Sequence, residues 1–139
     1  MKILIPAAGI GLCLALAAPA HAANGWQAIY YSPATQKAGY AWGKSTQDSA
    51  KSVALNNCVI PDCTFVVVSD ACVALAEHGT LWGGGSGATP DVAGNDALQK
   101  TYGGFLVVVV CPGGPTYCIE QGWGPGRCGP QPAQPPLRP

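Results

Sequence analysis

Cysteines are the residues whose number and spacing most constrain the chemistry of this 139-residue chain, which contains seven of them. Cys13 lies in an apolar N-terminal leader, and the others are Cys58, Cys63, Cys72, Cys111, Cys118 and Cys128. An even set of cysteines in an exported protein indicates disulfides. A metal site is the weaker alternative because there is no C-x-x-C pair and His78 is the only histidine beyond the leader. We therefore predict disulfides and no metal ligands.

His78 is the other residue whose surroundings could support catalysis. Asp70 and Glu77 lie near it in the sequence and Ser86 follows, so a Ser–His–acid set can be drawn. Residues 84–88 approximate the G-x-S-x-G elbow, but the last position is alanine. A polar hairpin turn at His78 is the simpler interpretation. We assign no catalytic residue and keep a small cell-envelope hydrolase that uses His78 as the alternative.

The glycine-rich stretch 83–88 also resembles a dinucleotide-binding loop. However, no parallel βαβ unit precedes it, and no Asp or Glu follows about 20 residues later, as the fingerprint requires. We expect this stretch to be a flexible connector between a hairpin and a helix, and we expect no cofactor.

Four aromatic residues in the predicted strands, Tyr31, Tyr40, Trp42 and Trp82, are candidates for a binding surface. Side chains alternate between the two faces of a sheet, so about half of the strand aromatics should point outward. Solvent-facing aromatics on neighbouring strands could bind a protein or a glycan. Core packing is the favoured interpretation, and a structural role is expected for Trp42 and Trp82 because they are equivalent positions of the repeat.

The N-terminal residues 1–22 have the features of a signal peptide. Lys2 is followed by an uncharged apolar run over residues 3–18 and by Ala-His-Ala at 20–22, which fits a signal peptidase site. This predicts export to the periplasm, the cell envelope or the medium, with no membrane insertion after cleavage. Charge is balanced, with 7 Lys and Arg against 7 Asp and Glu, and no basic run favours nucleic acid as a partner.

An internal duplication organises residues 25–111. The sequence Gly-Tyr-Ala-Trp-Gly at 39–43 is echoed by Gly-Thr-Leu-Trp-Gly at 79–83, and Phe-Val-Val-Val at 65–68 by Phe-Leu-Val-Val at 105–108. Each copy, 25–71 and 72–111, reads as strand, strand, helix, strand.

Local signals place the elements within the copies. Ser45 and Thr89 are the expected helix N-caps, and Pro90 suits the first helical position. The Val-rich strands should lie centrally because continuous apolar runs need cover on both faces. We therefore predict an α+β fold: a duplicated ββαβ unit with a mostly antiparallel sheet, two helices on one face, and disulfide staples.

The remaining residues, 112–139, are rich in proline and glycine and should form a tail with a small disulfide loop. Sequence alone does not fix the disulfide connectivity. The positions of the cysteines favour three pairs: Cys58–Cys63 around a tight turn, Cys72–Cys111 at the ends of the two equivalent Val-rich strands, and Cys118–Cys128 in the tail.

Residues 25–111 as a whole resemble the family called domain of unknown function 4189. The resemblance is carried by the duplicated order of elements, the Ala-Ile-Tyr-Tyr-Ser-Pro opening at 28–33, the 39–43 element, and the cysteines at 58, 63, 72 and 111. It implies an exported bacterial protein, prominently actinobacterial, with a disulfide-bonded α+β domain. It implies no catalytic residues.

These features together predict a secreted interaction module without enzymatic activity, whose partner is a host or envelope protein. The sequence does not identify that partner.

Overall fold

The computed structural model describes residues 25–118 of the chain. The predicted signal peptide and Cys128 lie outside the described residues. The described part contains seven strands and two helices, in the order β1 (Trp26–Ser32), β2 (Lys37–Lys44), α1 (Gln47–Cys58), β3 (Thr64–Ser69), β4 (Cys72–His78), β5 (Leu81–Gly87), α2 (Pro90–Lys100), β6 (Phe105–Cys111) and β7 (Gly114–Cys118).

The two halves of the described chain share one topology. In the first half the strands lie in the order β2-β1-β3, and in the second half in the order β5-β4-β6, with β7 added beside β6. All neighbouring strands are antiparallel. The α+β class and the duplicated ββαβ unit are therefore as the sequence predicted.

The sequence predicted one sheet with both helices on one face, but the structure has two sheets that pack face to face, and each helix packs on a different sheet. Ile29 of β1 and Leu75 of β4 belong to the core cluster between the sheets. Ala28 packs instead with α1, and Ala74 packs with α2. Each helix thus covers one face of its own sheet. Both central strands are apolar on both faces, so each needs a helix on one side and a sheet on the other.

The two Val-rich strands occupy different positions in their sheets. The strand β6 lies between β4 and β7, and its residues Val107–Val110 are buried. The strand β3 is an edge strand, and Val66, Val67 and Val68 are only partly buried. The expectation of a central position is therefore wrong for β3. The difference arises because the chain continues from β6 into the β6–β7 hairpin, whereas β3 leads directly into the other sheet.

The N-caps of both helices are threonines. Thr89 caps α2, as predicted, with its Oγ1 accepting a hydrogen bond from the Val92 N–H at 3.3 Å. The cap of α1 is Thr46, whose Oγ1 accepts from Ser49 N–H at 3.1 Å, so the prediction of Ser45 is wrong by one residue. Thr46 is the extended residue immediately before the helix, and a cap side chain must stand there to reach the exposed N–H groups.

The glycine stretch predicted as a connector is the body of strand β5. A Cβ on Gly85 would lie 2.5 Å from the Ala93 carbonyl oxygen of α2 and closer still to Ala97 N. A Cβ on Gly84 would lie 2.6 Å from Val66 Cγ1 of the opposing sheet. The consecutive glycines 84 and 85 face opposite sides of β5. Gly85 therefore allows α2 to approach one face, and Gly84 allows β3 to approach the other.

Two disulfides join described residues. Cys58–Cys63 connects the end of α1 to the start of β3, and Cys72–Cys111 connects the start of β4 to the end of β6. Both pairs are those that the sequence positions favoured. Cys118 is disulfide-bonded as well, and its predicted partner lies outside the described residues.

The strand named β7 corrects the prediction of a tail beginning at residue 112. Residues 114–118 pair with β6, with Cys111 opposite Gly114 and Val109 opposite Tyr117.

Among residues 25–118, no helix is long and apolar enough to span a membrane.

Candidate functional site

The four aromatic residues proposed as a binding surface contribute mainly to the core. Tyr31 and Tyr40 are 2% and 1% exposed and lie between the sheets. Trp42 and Trp82 are partly buried against the same cluster. These side chains therefore do not form one exposed aromatic platform.

Trp42 and Trp82 are also not equivalent positions of the repeat. In the strand register, Tyr31 pairs with Ala38, and its counterpart Glu77 pairs with Trp82. Trp82 therefore corresponds to Ala38, while Trp42 lies at the far end of its hairpin. The Trp-Gly similarity is offset by four residues from the structural repeat.

The residues of the hypothetical Ser–His–acid set are not brought together. His78 is opposite Leu81 at the turn of the β4–β5 hairpin, whereas Ser86 is opposite Val73 at the other end. The five residue steps from Val73 to His78 span roughly 16 Å of extended strand. Asp70 precedes β4 and thus lies at the end of the strand away from His78.

His78 has a structural contact instead. Its Nδ1 lies 3.0 Å from the carbonyl oxygen of Thr101, which follows α2. Because a carbonyl oxygen only accepts, the Nδ1 atom carries the proton in this contact. The imidazole therefore ties the β4–β5 turn to the end of α2.

One end of the sandwich carries a groove between the two hairpin turns. It has a volume of about 180 Å³, and it is lined by Tyr31, Pro33, Gln36, Gly79, Thr80, Leu81 and Trp82. We call it the hairpin-end groove. The rings of Tyr31 and Trp82, one from each sheet, form part of its wall with centroids 5.6 Å apart.

A buried carboxylate stands opposite Trp82, one of the residues that line this groove. Glu77 of β4 is 2% exposed, and its Oε1 has no hydrogen-bond partner among the described residues. It stands directly opposite Trp82 on β5 and Phe105 on β6, so the three side chains share the face turned toward the other sheet. Burial raises the pKa of Glu77 above its ordinary value because the charged form loses its water.

The β1–β2 side of the groove is held by Asp62. Its carboxylate accepts hydrogen bonds from Ser32 Oγ at 2.5 Å and from Ala34 N–H at 3.1 Å. These hydrogen bonds, with Ser32 as the largest contributor, lower the pKa of Asp62 because they favour the charged form. Asp62 directly precedes Cys63, so the Cys58–Cys63 disulfide anchors the residue that shapes the turn.

Two apolar side chains at the ends of the helices project into solvent. Val59 follows α1 and is 81% exposed, and Tyr102 follows α2 by two residues and is 85% exposed. Both have left-handed backbones, with φ of 61° and 54°. The Cys58 Sγ atom lies 3.9 Å from Lys37 O, and this contact and the His78–Thr101 contact place the helix ends beside the two hairpin turns. Together with Leu81, which is 42% exposed, they form what we call the hairpin-end surface.

Sequence reasoning passed over Val59 and Tyr102, and it considered Glu77 only as a possible acid partner of His78. The signal for Glu77 was present, since a charged residue occupied an inward position of an otherwise apolar strand. Val59 and Tyr102 carried no such signal, because their exposure depends on where the helices end and what packs beyond them.

Comparison with known proteins identifies the family. The sequence profile of the Domain of unknown function (DUF4189) family matches residues 26–106. The chain belongs to the DUF4189 family. The match extends from the start of β1 into β6 and thus includes both copies of the repeat.

The relatives are mycobacterial proteins without an assigned function. The uncharacterized protein Rv1813c of Mycobacterium tuberculosis is 31% identical, in a match that covers 76% of this chain and 87% of the relative. Protein Rv1269c of the same organism is 34% identical, covering 66% of this chain and 73% of the relative. The NMR structure of Rv1813c is similar with a TM-score of 0.54 at 30% identity, covering 80% of this chain and 93% of that one.

Proposed function

We propose that this protein is an exported binding module that engages a protein partner through its hairpin-end surface. The predicted leader and the disulfides support an oxidising location outside the cytoplasm, where such bonds persist. The partner is a protein of the cell envelope or of a host.

The observation that carries the proposal is the pair Val59 and Tyr102. A left-handed backbone is unfavourable for residues with a Cβ, particularly a β-branched one, and glycine or asparagine is the usual choice after a helix. An apolar side chain that remains 81% or 85% exposed adds little to folding in return. An arrangement that disfavours folding and occurs at both helix ends supports a role in contacting another molecule.

The test separates binding from stability at these two positions. Asparagine tolerates the left-handed region and is polar, so Val59→Asn and Tyr102→Asn should keep or raise the unfolding free energy while weakening partner binding. Val92→Asn is the matched control, because Val92 is 52% exposed in the first turn of α2, at the other end of the molecule.

A photo-crosslinking residue placed at 102 or 92 gives the readout in envelope and host-protein fractions. We expect a discrete adduct from position 102 that the Val59→Asn change reduces, and none from position 92. Equal adducts from both positions, or adducts insensitive to Val59→Asn, would contradict the proposal.

A further inference from the structure

Glu77 presents an unbalanced charge beside a groove. A buried carboxylate is ordinarily paired with a cation or supplied with hydrogen-bond donors, because removing its water is costly. Neither is present for Oε1 within residues 25–118. The ion pair among the described residues, Lys100 with Asp96, is on α2 and leaves Glu77 without a counter-charge.

The side chains around Glu77 are suited to a cation. Trp82 and Phe105 flank it on the same face, and the Tyr31 ring contacts Trp82 from the other sheet. The faces of aromatic rings attract cations, and tryptophan does so most strongly. This attraction is stronger where water is excluded. None of these three side chains can itself neutralise the carboxylate.

The position of the groove makes the carboxylate relevant to a ligand. Cβ atoms of directly opposite residues in antiparallel strands lie roughly 5 Å apart, so Glu77 is a direct neighbour of Trp82, which lines the groove. The groove volume of about 180 Å³ is several times the share of a water molecule in the liquid, roughly 30 Å³. It can therefore admit the head of one long side chain.

Among cationic groups, guanidinium fits this site better than ammonium. It is planar, stacks on aromatic rings, and is more weakly hydrated, so it enters a half-buried aromatic groove at lower cost. An ammonium group is a compact, strongly hydrated point charge, so it would lose more hydration on entering the groove.

We propose that the hairpin-end groove binds an arginine side chain of a protein partner, with the Trp82 ring as the stacking surface and the carboxylate of Glu77, the residue directly opposite Trp82, as counter-charge. This inference rests on the proposed function and specifies its chemistry. The exposed apolar residues Val59, Leu81 and Tyr102 would then surround the arginine site as the rim of the interface.

The experiment compares two blocked tripeptides, Gly-Arg-Gly and its citrulline analogue, which has nearly the same shape and no charge. Binding to the full disulfide-bonded chain is followed by the amide signals of Gly79, Thr80 and Leu81 and by the Trp82 indole N–H signal in two-dimensional NMR. We expect the arginine peptide to shift these signals with at least tenfold higher affinity than the citrulline peptide.

Charge variants show whether Glu77 provides the discrimination. Glu77→Gln should reduce the preference for arginine to less than about threefold while leaving the fold intact. Asp91→Asn changes the net charge equally but lies exposed in the first turn of α2, so it should leave the preference unchanged. Equal responses to the two peptides in the unmodified chain, or a preference that survives Glu77→Gln, overturn the inference.

The outcome for this site is distinguishable from the outcome for the proposed function. If the peptides bind equally but the crosslink from position 102 still depends on Val59, the binding module stands and the arginine site fails. If the arginine preference is found and no adduct forms at position 102, the groove binds cations but the hairpin-end surface is not the docking site.

Discussion

Replacing Gly85 with alanine tests the central packing feature of the second half of the chain. The new Cβ would lie 2.5 Å from the Ala93 carbonyl oxygen and 2.9 Å from Asp96 C, and closer still to Ala97 N. Because the optimal van der Waals separation of nonbonded atoms is about 3.5 Å, α2 would have to move away from β5 by about 1 Å. The obstructing atoms belong to a helix backbone, so no side-chain rotation can relieve the overlap.

The expected loss in unfolding free energy follows from that displacement. Overpacking of a close interface costs about 1–3 kcal/mol, and backbone obstruction places Gly85→Ala at about 3 kcal/mol. For a domain of this size the melting temperature should fall by roughly 15 °C. Thermal and denaturant unfolding of the oxidised protein, followed by far-UV circular dichroism, measure both quantities.

Gly113→Ala is the matched control for this measurement. A Cβ at Gly113 meets nothing within 4 Å, and its backbone lies outside the left-handed region. We expect a change within about 0.5 kcal/mol there. If Gly85→Ala were equally mild, the glycine stretch would behave as a flexible connector and the close approach of α2 to β5 would be refuted.

Three further predictions concern charge and crosslinks. Because burial raises the pKa of Glu77, the folded state holds its proton more tightly, and the unfolding free energy should fall as pH rises above 4.5. Glu77→Gln should abolish that fall and raise the unfolding free energy by about 1 kcal/mol at neutral pH, as measured by denaturant unfolding. The pKa of Asp62 is lowered instead, so the contribution of this carboxylate to stability should disappear as pH falls through its pKa in the folded state. Asp62→Ala should speed amide hydrogen exchange at Ala34. An exchange rate unchanged from that of the unmodified chain would contradict the role of the carboxylate. Replacing both Cys72 and Cys111 with alanine should reduce the unfolding free energy by about 4 kcal/mol, and an unaltered denaturation midpoint would show that the bridge is dispensable.

Local signals in the sequence were sufficient for both helices, for six of the seven described strands and for their order. The capping residue Thr89 with Pro90, the apolar strand runs and the spacing of the cysteines each depend on neighbours a few residues away. Such features act within one turn or one hairpin, so they are legible without knowledge of the rest of the chain. The duplicated ββαβ order and the favoured Cys58–Cys63 pair followed from them, whereas the Cys72–Cys111 pair, 39 residues apart, was favoured by the symmetry of the repeat.

The candidate site was largely inaccessible to the same reasoning. Glu77 and Trp82 belong to one hairpin, but only the packing of the second sheet brings Tyr31 against them and buries the carboxylate. Likewise the glycines at 84 and 85 could equally have been a loop until α2 and β3 were placed on either side.

The sequence by itself therefore determined the repeat, the family and the crosslinked α+β class, and it predicted the export signal. The tertiary structure alone decided that there are two sheets, that β3 is an edge strand, and that both hairpin turns meet at one end beside a buried charge. The physical reason is that hydrophobic periodicity specifies which face of a strand is covered but carries no information on which distant segment covers it.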